Sequence, residues 1–295
     1  MNSNIVIGVD IGGTHITAAL IDLHAQSIID NAVIRRSVNG KGTAEQVIKD
    51  WTDTIAECKA LHPKASAKIG IALPGPFDYE KGISYIKGLD KYESLFNLNV
   101  KALLAQELNI QPADVYMMND ASCFLKGEVF GGAAKGKNNV IGITLGTGLG
   151  SAVWKNSAII DGDLYCTAYK DGTAEDYLSA RWFLSRYKEL TGNTPNNVKE
   201  ITDKIPSDKA ASVVFTEFGD NLGIILSSYI KRHEAEAVVI GGNIMNASEL
   251  FIPEAESVLH LQSLNFTILK STLGEEAALL GAGSLWSQNY FNLSI

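Results

Sequence analysis

The sequence predicts an α/β protein of two duplicated lobes, with a ligand cleft between them. Three observations lead there. The 295 residues exceed the length at which one hydrophobic core usually stops growing. A β-hairpin pattern built on a glycine turn occurs at Gly12-Gly13 and again at Gly146 to Gly150. Short apolar runs alternate with amphipathic stretches along the chain, and no low-complexity linker interrupts them.

In the first hairpin, Ile5 to Asp10 and Ile16 to Ile21 are β-rich runs on either side of Gly12-Gly13. Thr43-Ala44-Glu45-Gln46 then forms a capping box. It opens a helix whose Val47, Ile48, Trp51, Ile55 and Cys58 share one face. Lys68 to Leu73 is a buried strand that ends in the turn Pro74-Gly75-Pro76. Leu98 to Leu108 is helical. Asp114 to Met118 is a strand that delivers Asn119 and Asp120 at its C-terminal end, where α/β sheets place ligands.

The order then repeats, with a strand from Val140 to Leu145, a glycine turn and a strand from Ser151 to Trp154. Glu175 to Leu190 reads as a helix stopped by Gly192. Ala210 to His233 reads as a long helix with an apolar stripe of Val213, Val214, Phe218, Leu222, Ile225, Leu226 and Tyr229. Ala237 to Ile240 is a strand ending at Gly241-Gly242, and Glu275 to Trp286 is a helix rich in Ala and Gly.

The formal charge of -8 leaves no Lys/Arg surplus to neutralise a phosphate backbone, so a general nucleic-acid binder is disfavoured. The first residues carry no basic stretch, and Asp10 interrupts their apolar run, so neither a signal peptide nor a membrane span is expected and the predicted location is cytoplasmic. Cys58, Cys123 and Cys166 are odd in number and widely spaced, which predicts free thiols. The five histidines lack metal-ligand spacing, and no zinc site is expected. Sequons at Asn246, Asn265 and Asn292 are discounted, because no secretion signal accompanies them.

Asp10-Ile11-Gly12-Gly13-Thr14 sets a carboxylate, two residues without side chains and a hydroxyl on one tight turn. Such a turn lets a polyanion approach backbone N–H groups, with Thr14 as a further donor. Alone, such a turn is more often plain hairpin chemistry; Gly146-Thr147-Gly148 repeats it and reverses that preference. Gly131 to Asn138 comes near the Walker spacing, but Asn138 replaces the magnesium-binding hydroxyl and a strand follows where a helix should, so it is read as a loop. Asp120 is either a base at the ligand site or the N-cap of the next helix. Asp10 is either a water-mediated magnesium ligand or a structural carboxylate.

Asp10 to Thr14, Pro74 to Asp78, Asn119-Asp120-Ala121, Leu145 to Gly150 and Gly241-Gly242 resemble, in order, the motifs of the ROK family of repressors, open reading frames and kinases, within the actin-like ATPase (ribonuclease H-like) superfamily. The likeness runs over nearly the whole chain. It implies an N-terminal lobe over residues 1–118, completed by a C-terminal helix at about 285–295, and a C-terminal lobe over 119–284. It implies a glucokinase-like transferase using ATP and Mg2+. Gly12, Gly13, Thr14, Gly146, Thr147 and Gly148 would grip phosphates, and Gly241 and Gly242 would lie by the adenosine. Asp120 would be the general base, with Asn119, Gly75, Asp163 and Glu175 at the sugar. A homodimer is also common in this family.

Two departures alter the expected sugar pocket. Asp163-Leu164-Tyr165-Cys166 stands where a Glu-x-Gly-His motif is usual, and the cysteine-rich zinc loop that normally follows is a short segment from Thr167 to Asp171. A thiol thus replaces the stronger hydrogen-bonding imidazole. Gly88-Leu89 replaces an Asn-Leu pair. The leading expectation is an ATP-dependent kinase of a hexose, amino sugar or related polyol. The alternatives are a non-catalytic sugar or nucleotide sensor, or a repressor; the start of the phosphate turn at Asp10 and the acidic charge weigh against the repressor.

Overall fold

The structure is a computed structural model and describes residues 4–287 apart from 206, 263 and 265. The chain divides into two compact units, Met1–Lys135 with Glu275–Ile295, and Gly136–Gly274.

In the first unit, β1 (Ile5–Ile11) and β2 (His15–Asp22) form the expected hairpin, and β3 (Ser27–Ser37) extends it. Helix α1 (Ala44–Ala60) follows, then β4 (Ile69–Leu73), a small hairpin of β5 (Phe77–Asp78) and β6 (Ile83–Ser84), α2 (Val100–Glu107), β7 (Val115–Asn119) and α3 (Asp120–Gly131). The sheet order is β3-β2-β1-β4-β7. Its first three strands are antiparallel, while β4 and β7 run parallel to β1. Central strands covered on both faces read as continuous apolar runs, and every residue of β4 is buried. The capping box at α1 is present: Gln46 N donates to Thr43 Oγ1 at 3.3 Å, and Thr43 N donates to Gln46 Oε1 at 3.0 Å.

The second unit holds β8 (Asn139–Leu145), β9 (Leu149–Lys155), β10 (Ala158–Asp161), and a short hairpin of β11 (Ala168–Tyr169) and β12 (Gly172–Thr173). It continues with α4 (Ala174–Tyr177), α5 (Ala180–Thr191), α6 (Val198–Thr202), α7 (Lys209–His233), β13 (Ala237–Gly241), α8 (Ile252–His260) and β14 (Thr267–Lys270). The order β10-β9-β8-β13-β14 and the strand directions repeat those of the first unit. Its core gathers around Phe183, Phe215, Phe218 and Phe251.

The chain then returns to the first unit as α9 (Glu276–Ser284), which packs on α3. A Cβ on Gly127 would stand 2.0 Å from the Ala277 carbonyl oxygen, and one on Gly281 would stand 1.8 Å from that of Cys123. Only glycine permits this backbone-to-backbone approach, which explains the small residues of α9.

The units therefore part at 135/136 and 274/275, not at 118/119 and 284/285. Both α3 and α9 belong to the first unit because they pack on each other. Most of the helix expected at about 285–295, and the sequons at Asn265 and Asn292, lie outside the described residues. The helix expected from Glu175 to Leu190 is two helices broken at Leu178-Ser179. Val213 is 42% exposed, and Ala211 and Phe215 stand in the buried stripe instead. The Walker-like segment is the loop between α3 and β8.

Candidate functional site

In the first unit, strand register brings the candidate residues together. Asp10 on β1 pairs with Ala72 on β4, and Leu73 pairs with Asn119 on β7, so the carboxyl ends of three adjacent strands carry Asp10, the Pro74-Gly75-Pro76 turn and Asn119-Asp120. The Gly75-Pro76 peptide is cis. Asn119 is the N-cap of α3: its Oδ1 accepts from Ala121 N at 3.0 Å and Ser122 N at 3.3 Å. Its Nδ2 donates to the Tyr79 hydroxyl at 3.3 Å, and that hydroxyl donates to Leu73 O at 3.2 Å. The capping role weighed for Asp120 is thus filled by its neighbour. Asp120, the first residue of α3, accepts from Ala121 N at 2.9 Å.

Both carboxylates are raised above the usual aspartate range. Burial pushes the Asp10 pKa up to about 6, the Asp120 charge adds to the rise, and Arg35 opposes it. Burial also lifts Asp120 above the usual carboxylate range, against the pull of the Ala121 N–H and the Lys91 ammonium. Arg35 is itself paired with Glu275 at 2.9 Å.

The first glycine turn is held from outside. Gly12 N donates to His15 O at 2.9 Å, and the Tyr92 hydroxyl donates to Gly12 O at 2.5 Å. The Thr14 hydroxyl lies 2.9 Å from His15 Nδ1, so its first partner is its own neighbour.

The second unit brings another set together. Gly146 N donates to Gly148 O at 3.1 Å, Leu149 N to Glu175 Oε2 at 3.0 Å, and Ala180 N to Gly146 O at 2.8 Å. This explains the break between α4 and α5: leaving the helix at Leu178-Ser179 frees the Ala180 N–H to hold one side of the turn while Glu175 holds the other. Gly241 pairs with Thr144 beside the turn, and Gly242 has φ +90, where a Cβ would stand 2.2 Å from Leu145 O. Thr147 is exposed at the tip. Glu175 also pairs with Arg181 at 2.8 Å. Asp163 pairs instead with Arg232 at 3.3 Å, with Cys166 exposed on the same 3₁₀ turn.

Sequence reasoning missed Tyr79, Lys91 and Tyr92. Tyr79 sits just past the Pro-Gly-Pro turn, a signal within reach; Lys91 and Tyr92 lie in a stretch with no periodicity to mark them.

Among the described residues no helix is long and apolar enough to cross a membrane. The chain is similar to a ROK family glucokinase from Streptomyces griseus solved with glucose and AMPPNP, at TM-score 0.74 and 23% identity over 95% of this chain and 98% of that one. Two repeated mixed sheets and that likeness define the actin-like ATPase fold. The ROK family pattern matches residues 6–289, and the chain belongs to the ROK family. It is 28% identical to a glucokinase of Thermotoga maritima, over 95% of this chain and 96% of that protein. It is 23% identical to a xylose repressor of Bacillus spizizenii, over 97% of this chain and 78% of that one.

Proposed function

We propose that the protein is an ATP-dependent carbohydrate kinase acting on a hexose, amino sugar or related substrate, with Asp120 as general base. The observation that carries this reading is a partly buried Asp120 carboxylate relieved of helix capping by Asn119 and set beside Asp10. The sugar hydroxyl oxygen attacks the γ-phosphorus of ATP and forms the new P–O bond. The bond to the β-phosphate oxygen breaks, and ADP leaves with its electron pair. Asp120 takes the hydroxyl proton. The glucose and AMPPNP held by the Streptomyces griseus relative support this choice of ligands.

Within the first unit Gly12, Gly13 and Thr14 are the phosphate-binding residues of this reading; within the second they are Gly146, Thr147 and Gly148, with Gly241 and Gly242 toward the adenosine. Burial raises both Asp10 and Asp120, and the Asp120 charge raises Asp10 further; a divalent cation would relieve this, so the residues present fit Mg2+. Among the described residues no three metal-binding side chains converge, so Asp10 would hold the ion through water, with ATP phosphates completing its shell. When bound, the ion neutralises charge on the transferring phosphoryl group. Within the first unit Asn119 and Gly75 are the sugar-binding residues of this reading; within the second, Glu175 and Asp163 would accept from sugar hydroxyls in exchange for Arg181 and Arg232.

ADP release over a panel of sugars tests the reading. Asp120→Asn is expected to lower sugar-dependent turnover by about 10²–10⁴-fold while the fold is kept. Unchanged turnover in this variant, or no sugar that raises ADP release above the ATPase background, sinks the proposal. A second reading, a sugar sensor without turnover, is favoured by Cys166 in place of the family's histidine and by the repressor relative. Calorimetric sugar binding without ADP release would select it.

A further inference from the structure

Lys91 belongs to no motif, yet the backbone around it is unusual. Asp90 and Tyr92 on either side are both left-handed, with φ 57 and 55. Two left-handed non-glycine residues flanking one position need support from their surroundings. Tyr92 supplies it. Its side chain is buried edge-on to Trp51 with ring centroids 5.1 Å apart, its N–H donates to Gly40 O at 2.6 Å, and its hydroxyl donates to Gly12 O at 2.5 Å. Tyr92 thus ties this loop to the first glycine turn.

The loop delivers Lys91 along that turn. Its Cδ would lie 3.5 Å from a Cβ on Gly13, and its Cβ 3.6 Å from one on Gly40. Neighbouring Lys41 is spent on Asp90 at 2.6 Å, whereas Lys91 forms no ion pair among the described residues. Its charge is felt at Asp120 all the same, pulling that carboxyl down against burial.

An unpaired ammonium, held over a phosphate turn and facing the base, has the placement of a charge clamp on a transferring phosphoryl group. We propose that Lys91 binds the γ-phosphoryl group of ATP and stabilises its negative charge as it passes from ADP to the sugar oxygen. This inference rests on the kinase reading above. It adds a residue to the proposed reaction and leaves its bonds unchanged: the γ-phosphorus bond to the β-phosphate oxygen breaks, the bond to the sugar oxygen forms, and the proton goes to Asp120.

The test compares wild type with Lys91→Met and Lys91→Arg in two measurements, sugar-dependent kcat and calorimetric affinity for AMPPNP against ADP, after circular dichroism shows each variant folded. Lys91→Met is expected to lower kcat about 100-fold or more. It should also weaken AMPPNP about tenfold relative to ADP, because ADP lacks the group that Lys91 reads; Lys91→Arg should restore much of that preference. A Lys91→Met protein with kcat within threefold of wild type and an unchanged AMPPNP-to-ADP ratio overturns the assignment while leaving the kinase reading intact. If wild type binds nucleotide but phosphorylates no sugar, the affinity ratio alone decides on Lys91. If wild type binds neither nucleotide, both readings fall. If Lys91→Met does not fold, Lys91→Arg decides through the same ratio, with loss of the preference despite a retained charge counting against the clamp.

Discussion

Strand register sets β1 beside β4 and β4 beside β7, which buries Asp10 within range of the Asp120 charge, and the cost of that burial is measurable. The folded protein holds the Asp10 proton with a pKa of about 6, against 3.8 for an unperturbed aspartate, so ionising it disfavours the fold. The protein should lose stability as pH rises from about 4 to 6, and the penalty should be fully present above that window. Asp10→Asn removes it. At pH 8 this variant is expected to be more stable than wild type by up to about 3 kcal/mol, two pKa units at 1.36 kcal/mol each, with the difference vanishing near pH 4. Denaturant titrations at both pH values check this; a variant equally destabilised at each shows that Asp10 is a structural carboxylate. Burial raises the Asp120 carboxyl as well, so kcat/KM should fall on the acid side at a pH above the ordinary carboxylate range.

At the scale of elements, the sharpest constraint is the contact of α3 with α9. Gly281→Ala places a methyl group against the Cys123 carbonyl, with backbone on both sides and no flexible side chain to yield. We expect a loss of about 3 kcal/mol or more, read as a lowered denaturant midpoint. Ala278→Gly, on the same helix, should cost only about 1 kcal/mol. The short segment from Thr167 to Asp171 is held by polar and ring contacts. Lys170 Nζ donates to the buried Asn221 Oδ1 at 2.8 Å and lies 5.1 and 5.0 Å from the rings of Tyr169 and Tyr177, while the Tyr169 hydroxyl donates to the same Asn221 oxygen at 2.9 Å. Cation–π and charge-assisted contacts here hold the β11–β12 hairpin ahead of Glu175. Lys170→Met should therefore lower stability by about 1–3 kcal/mol. A chelator should leave the melting temperature of wild type where it was; a shift of several degrees would reveal a metal in the fold.

Elements were legible to different degrees for reasons the structure makes plain. The two hairpins and α1 could be read because glycine turns and a capping box are local signals, complete within a few residues. Strand β3 could not. It is an edge strand with polar residues along much of its length and a left-handed Asn31 within it, so it lacks the alternation that marks a half-buried strand. The break between α4 and α5 was equally hidden, since its cause is a hydrogen bond to Gly146, far away in sequence.

Across the whole molecule, the repeated strand order and the ROK family pattern agree on the fold. The relatives include both a glucokinase and a xylose repressor. With a formal charge of -8, the protein should show no gel shift with duplex DNA at physiological salt, because no cationic surplus is present to displace the phosphate counterions. A specific shift that a sugar abolishes would move the protein to the regulators.

By itself the sequence determined the duplicated α/β plan, the glycine turns and the pairing of Asn119 with Asp120, because each is written in residues adjacent along the chain. Only the tertiary structure decided that Asn119 caps α3, that Glu175 braces the second turn, and that Tyr92 holds Lys91 against the first. The cap turns on which of two adjacent side chains faces the helix start, and the other two depend on contacts between segments tens of residues apart, which exist only once strand register and core packing have set the backbone.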